Sequence, residues 1–235
     1  MNYIEHICEP EKLLLCWQAP SEVGSARYAI AELCRTGDKY TFKYLMNTKD
    51  FEEAKKIGFT MYPAFRADEV VHNFGVLEAF TGRIPPRSRN DFKEYLQNFR
   101  LHENVSISDF ALLGYSGAKL PSDGFSIINP FEDTCIPSEF LIEIVGSRHM
   151  KGLDLKTVRN EDSVEFIEEP NNQYDKQAVF VMSKGQKLGY ISRWQTQAFH
   201  KWMRDSGVSL SANVERLNGT KERPVIYVFL RLSEK

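Results

Sequence analysis

Tyr174 and Asp175 stand side by side in the stretch Glu168-Glu169-Pro170-Asn171-Asn172-Gln173-Tyr174-Asp175-Lys176-Gln177-Ala178. An ionised aspartate is a strong hydrogen-bond acceptor, and a tyrosine offers a flat ring with a polar tip. The chemistry of such a pair is binding. Pro, Asn and Asp favour turns because they preset φ or bond their own backbone. The segment therefore reads as a polar loop, and a loop held by rigid neighbours is a common place for binding residues. A plainer alternative also fits the residues: a surface turn with Tyr174 packed on its own sheet and Asp175 capping the loop backbone.

Two apolar alternating runs flank the loop, Val164-Glu165-Phe166-Ile167 and Ala178-Val179-Phe180-Val181-Met182, and both read as strands. Arg148 and Arg193 are candidate phosphate contacts, with a salt bridge from Arg148 to Glu168 or Glu169 as the alternative. Glu168 and Glu169 are paired carboxylates, but no separated ligand set for a metal accompanies them, so nuclease chemistry is not expected.

A length of 235 residues fits one large domain or two small ones. With 42% hydrophobic and 26% charged residues the composition is that of a globular protein. No apolar run reaches bilayer-spanning length, and the first residues show no basic-then-apolar secretory pattern. Cys8, Cys16, Cys34 and Cys135 lack C-x-x-C or zinc-finger spacing and read as small apolar fillers in a reducing cytoplasm. No cofactor is expected. The net charge of −2 divides into +2 from Glu139 onward and −4 before it. A wide nucleic-acid surface calls for a strong basic excess, so any such site here is a small patch.

The first half reads as strands at Leu13–Trp17, Tyr28–Leu33 and Tyr40–Tyr44, with a hairpin turn at Thr36-Gly37-Asp38. Helices are expected at Asp50–Ile57, Asn73–Phe80 and around Phe92, Tyr95, Leu96 and Phe99. Arg87 and Arg89 are either phosphate ligands or solvated residues beside a helix start. Leu77-Glu78-Ala79-Phe80-Thr81-Gly82-Arg83-Ile84-Pro85-Pro86 and Phe110-Ala111-Leu112-Leu113-Gly114-Tyr115-Ser116-Gly117-Ala118 resemble segments of the N-terminal subdomain of HipA-type toxin kinases. The kinase body of that family is absent. The resemblance implies a docking domain for a kinase toxin, helicase or nuclease partner, and, as a second reading of the whole chain, a regulatory or antitoxin-like component. Residues 114–138, rich in Gly, Pro, Ser and Asp, read as a linker that packs partly on the first domain.

The second half reads as six short strands and one helix, which suggests a small antiparallel barrel, because closure hides strand edges. Ser192 and Gln195 form a capping-box pattern ahead of the helix. Trp194, Phe199 and Trp202 read as core and His200 as a surface residue of that helix, while Asn218-Gly219 marks the turn between the last two strands. Val145-Gly146-Ser147-Arg148-His149, then Glu169–Ala178, then Lys187-Leu188-Gly189-Tyr190-Ile191-Ser192-Arg193 follow the motif order of the HIRAN domain, and the resemblance covers about Phe140 to Leu232.

That resemblance implies a modified oligonucleotide-binding barrel that grips the 3′ end of single-stranded DNA, in a setting such as repair or phage defence. The residues it implicates are Arg148, His149, Asn172, Tyr174, Asp175, Tyr190 and Arg193. On this reading Asp175 accepts from a terminal 3′-hydroxyl and repels a phosphate, Tyr174 stacks on a base, and the arginines meet phosphates. Asn172 bonds the nucleotide or shapes the loop. His149 stands at a tyrosine of the DNA-binding example, and Tyr190 at a histidine. The expected architecture is α+β: two small β-rich domains, 1–113 and 139–235, the second a barrel with one main helix. The expected activity is non-enzymatic.

Overall fold

The computed structural model describes residues 2–20, 22–23, 26–68, 71–220 and 222–235. The fold is α+β, and the chain divides into two compact units. One unit comprises 9–96 and 103–133, the other 1–8, 97–102 and 134–235.

The 9–96/103–133 unit is built on a four-stranded antiparallel sheet. Its strands are β1 (Lys12–Gln18), β2 (Arg27–Thr36), β3 (Lys39–Tyr44) and β4 (Phe125–Ile128), in the order β3-β2-β1-β4. The helices are α1 (Lys49–Lys56), α2 (Val76–Thr81), α3 (Phe92–Asn98), whose last two residues fall in the other unit, and α4 (Asp109–Ser116). Thr48 caps α1 by accepting from the Phe51 N–H, and Ser108 caps α4 by accepting from the Ala111 N–H; each satisfies an orphan donor of the first turn. α2 starts later than the sequence suggests. Gly75 takes a left-handed conformation, φ 64°, ahead of it, and leaves Phe74 outside the helix and 92% exposed.

Aromatic rings fill the core of this unit. Phe42 stacks on Phe65 at 4.4 Å, and Tyr62 stacks on Phe80 at 4.8 Å. Buried Tyr44 donates to the Phe65 carbonyl and accepts from the Tyr62 N–H, so its hydroxyl is fully used. The stretch 114–133 is integral to this unit, because Phe125–Ile128 pairs with Leu14–Trp17. Arg83, 7% exposed, fastens it further: its guanidinium donates twice to Asp123 and also to the Ala118 and Phe125 carbonyls. Arg87 is paired with Asp109 and the Ile107 carbonyl, and Arg89 with Asp91. Cys8 and Cys16 are buried as expected of small fillers, whereas Cys34 is half-buried and Cys135 is exposed.

The 1–8/97–102/134–235 unit carries six strands: β5 (Ser138–Ile144), β6 (Glu165–Glu168), β7 (Val179–Ser183), β8 (Gln186–Tyr190), β9 (Val208–Gly219) and β10 (Pro224–Glu234). They form two antiparallel sheets, β5-β10-β9 and β6-β7-β8. Two seams join the sheets. Val145 and Tyr190 exchange backbone hydrogen bonds at 2.9 and 2.8 Å, and Ser163 bridges to Asn213. The six strands thus run round in a ring, leaving no long open edge.

The wall is alternating. On β5, Ser138, Phe140, Ile142 and Ile144 are buried while the residues between them are not. One helix, α5 (Thr196–Arg204), packs Phe199 and Trp202 inward. Its start differs from the capping-box expectation. Ser192 to Gln195 form a turn, with Gln195 N–H bonded to the Ser192 carbonyl, and the helix begins only at Thr196 without a side-chain cap. Asn218-Gly219 also differs: both residues are still paired in β9, and the turn closes through Thr220 and Arg223.

Segments distant in sequence complete this unit. Ile4 and Leu101 are buried and bridged. Arg100 pairs with Glu215, the two side chains being 9% and 3% exposed, and Asn2 also donates to Glu215. Breaking a buried ion pair from one side strands a charge and typically costs about 3–5 kcal/mol. Arg100→Met should destabilise the full chain by about that amount in urea unfolding. A fragment beginning at residue 114 should unfold still more readily. Wild-type stability in both would show that the Glu215 carboxylate tolerates the loss.

Candidate functional site

Three segments meet around Tyr190, the last residue of β8. Its backbone is bonded to Val145, just ahead of the 3-10 turn Ser147–His149. Its hydroxyl donates to Glu169 Oε2 at 2.8 Å and accepts from Asn172 Nδ2 at 3.2 Å, both in the loop 169–178. Gly189 makes the seam possible. It sits at φ 149°, and a Cβ there would lie 2.5 Å from the Val145 carbonyl oxygen, so only glycine lets β8 approach β5 this closely.

Glu169 is the anchor of the loop. Lys187 Nζ donates to its Oε1 at 2.8 Å, while Asn172 Nδ2 and Tyr190 donate to its Oε2. Lys187 lies over the rings of Phe180 and Tyr190, 4.3 Å from each centroid, and also donates to the Tyr190 hydroxyl at 2.7 Å. The Lys187 hydrogen bond holds the Glu169 carboxyl below the usual glutamate range, against the opposing effect of burial. Burial acts to lower Lys187, but its bonds to Glu169 and Tyr190 outweigh it and hold the ammonium above its usual value.

Asn172 shapes the loop with its whole side chain. Its Oδ1 accepts from the Tyr174 and Asp175 N–H groups at 2.9 and 3.1 Å, while its amide nitrogen faces Glu169 and Tyr190. Of the two roles open to it in the sequence, backbone shaping is the one these contacts fill. Asp175 Oδ1 caps the Gln177 N–H at 2.8 Å. Among the described residues Asp175 Oδ2 accepts nothing. Tyr174 does not pack on its sheet: it is 97% exposed, projecting from a loop whose backbone is pinned on both sides of it.

The remaining predicted residues have mixed surroundings. Arg148 and His149 are exposed, with Arg148 Nε donating to His149 Nε2 at 2.9 Å. Glu168 is held by His200 and Arg204, and Glu169 by Lys187. Arg193 is exposed, its guanidinium 4.7 Å from the Trp194 ring. Tyr190 is half-buried, and its hydroxyl and one ring face are engaged by Glu169, Asn172 and Lys187. His200 departs from the sequence reading: it is buried, bonded to Glu168 and to the Gln177 carbonyl. Sequence reasoning also missed the Glu169–Lys187 pair. Their separation of 18 residues across a hairpin gives no local signal. Among the described residues no group of His, Cys, Asp or Glu is arranged to hold a metal, and no helix is long and apolar enough to cross a membrane.

The Glu169 tie gives a pH prediction. A carboxyl with a folded-state pKa below its unfolded value stabilises at pH above the unfolded value and loses that stabilisation as pH falls through the folded value. Glu168, held separately, is also lowered, first by its His200 bond and then by Arg204, so both carboxylates lose their bonds in the same direction of pH. Below the ordinary glutamate value of about 4.3, the Asn172 side-chain amide signals should collapse toward free-amide positions in NMR spectra. Glu169→Gln should show that collapse already at neutral pH. Persistence of the wild-type pattern in the variant would remove Glu169 as anchor.

Residues 138–233 match the model of the HIRAN domain family. Among solved structures, the chain is similar to a protein from Lactobacillus plantarum, with 32% identity over 40% of this chain and 91% of that one, TM-score 0.33. It is also similar to the HIRAN domain of human HLTF, with 22% identity over 40% of this chain and 74% of that one, TM-score 0.33. No curated protein matches it. The family match does not reach the 9–96/103–133 unit, and the likeness of the first half to the HipA N-terminal subdomain is not supported.

Proposed function

We propose, from the premise that residues 138–233 are a HIRAN domain, that this chain is a non-enzymatic protein that binds the 3′ end of single-stranded DNA at loop 169–178. A HIRAN domain itself suggests single-stranded DNA binding. The observation that carries the finer reading is Tyr174, almost wholly exposed on a loop fixed by Asn172 and Glu169. A large ring presented to solvent on a rigid mount suits base stacking, which every base permits. Beside it, Asp175 has an oxygen that accepts nothing within the described protein, a fitting acceptor for a terminal hydroxyl and a repellent for a phosphate. Arg148 and Arg193 supply positive charge for phosphates, and His149 a further exposed ring. Asn172 and Tyr190 act from behind, by setting the loop.

Strands ending in a 3′-hydroxyl should bind more tightly than the same strands ending in a 3′-phosphate, as read by fluorescence anisotropy. Equal affinities would take Asp175 out of this role.

Stacking and charge separate by salt. Tyr174→Ala should cost about 1–3 kcal/mol at every salt concentration, because stacking releases few counterions. Arg148→Ala should weaken binding mainly at low salt and reduce the log–log salt slope by about 0.7, the share of one phosphate contact on a single strand. An unchanged slope would make Arg148 a structural residue and not a phosphate contact. Normal binding by folded Tyr174→Ala would make the loop a turn without a site.

A further inference from the structure

His200 lies on α5, more than twenty residues after the loop, and is 8% exposed. Its Nδ1 is 2.8 Å from Glu168 Oε1, at the end of β6 just before the loop. Its Nε2 is 3.0 Å from the Gln177 carbonyl oxygen, just before β7. One ring therefore spans the two chains where they enter and leave the loop. Between those contacts the loop closes on itself, Glu169 N–H to the Ala178 carbonyl at 2.8 Å. Arg204, one helical turn after His200, donates to the same Glu168 carboxylate at 2.9 Å and fixes its orientation. A carbonyl and a carboxylate both only accept, so a ring N–H is the donor in these contacts, and the tautomer sets which nitrogen carries it.

We infer that His200 is the positioning residue of the DNA-end loop: it sets the spacing of the loop's two ends, and through it the placement of Tyr174 and Asp175. The inference rests on the 3′-end reading above. Nothing in the loop's own sequence encodes this contact, since the histidine comes from a helix packed beside the sheet.

The test uses three variants of the full chain. His200→Gln carries an amide N–H near the place of Nε2 and can serve the Gln177 carbonyl. His200→Asn carries one near the place of Nδ1 and can serve Glu168. His200→Ala serves neither. Affinity for a 3′-hydroxyl oligonucleotide and amide hydrogen exchange are measured on each. His200→Ala should bind roughly tenfold more weakly, the scale of losing a hydrogen bond to a charged group. Its Glu169 amide should exchange faster while the Val214 amide of β9 keeps its protection. His200→Gln and His200→Asn should each recover part of both losses.

Faster exchange throughout the unit would make His200 an ordinary core residue and overturn the inference. So would a loosened loop that still binds the oligonucleotide normally, or an unchanged loop. Should the wild type bind no oligonucleotide, the 3′-end reading falls, and with it the functional part of this assignment; the exchange data then still report whether His200 clamps the loop.

Discussion

One carboxylate, Glu169, holds the site in shape. It receives the ammonium of Lys187, the hydroxyl of Tyr190 and the amide of Asn172, so β8 and the loop are fastened to a single group. Asn172 passes the constraint on to the backbone of Tyr174 and Asp175. Each partner depends on the others. Lys187 sits between two aromatic faces, where an ammonium without its carboxylate would be poorly solvated. Cooperative networks of this kind rigidify a region when every member is satisfied. The exposed tyrosine gains its fixed mount from this half-buried polar knot.

The strands of this unit were legible in the sequence because their residues alternate, and the loop because Pro170, Asn171, Asn172 and Asp175 are turn formers. Tyr174 was legible as a candidate but its exposure was not, since a tyrosine beside a sheet packs as readily as it projects. His200 was misread because helical periodicity places it beside an apolar stripe without saying that a loop lies against that side. The capping pattern of Ser192 and Gln195 misled for a related reason: local propensity gave way to the turn that carries the chain from the closing seam into α5. The boundary between the units was blurred by composition. Gly, Pro and Ser between 114 and 133 suggested a linker packed partly on the first domain, and four residues there complete a sheet while Asp123 meets a buried arginine.

Residues of the first half that looked like a motif are explained by packing. Phe80 is fully buried in the ring cluster with Phe42, Tyr62 and Phe65, and Arg83 is spent on Asp123 and two carbonyls. A Phe-Thr-Gly-Arg run here closes a core. Phe74 stands apart as an aromatic with 92% of its surface exposed.

The interleaving of the two units has a kinetic consequence. Residues 9–133 hold the whole of one unit, so it can form while later residues are still being made. The other unit needs Asn2 to meet Arg231 and His6 to meet Glu139, separations of 229 and 133 residues. Its ring of strands closes only after β10 has been synthesised. Such non-local pairing slows folding, because loop closure must precede the contacts that compensate for it. The topology therefore favours a staged order, in which the unit that carries Tyr174 closes after the other.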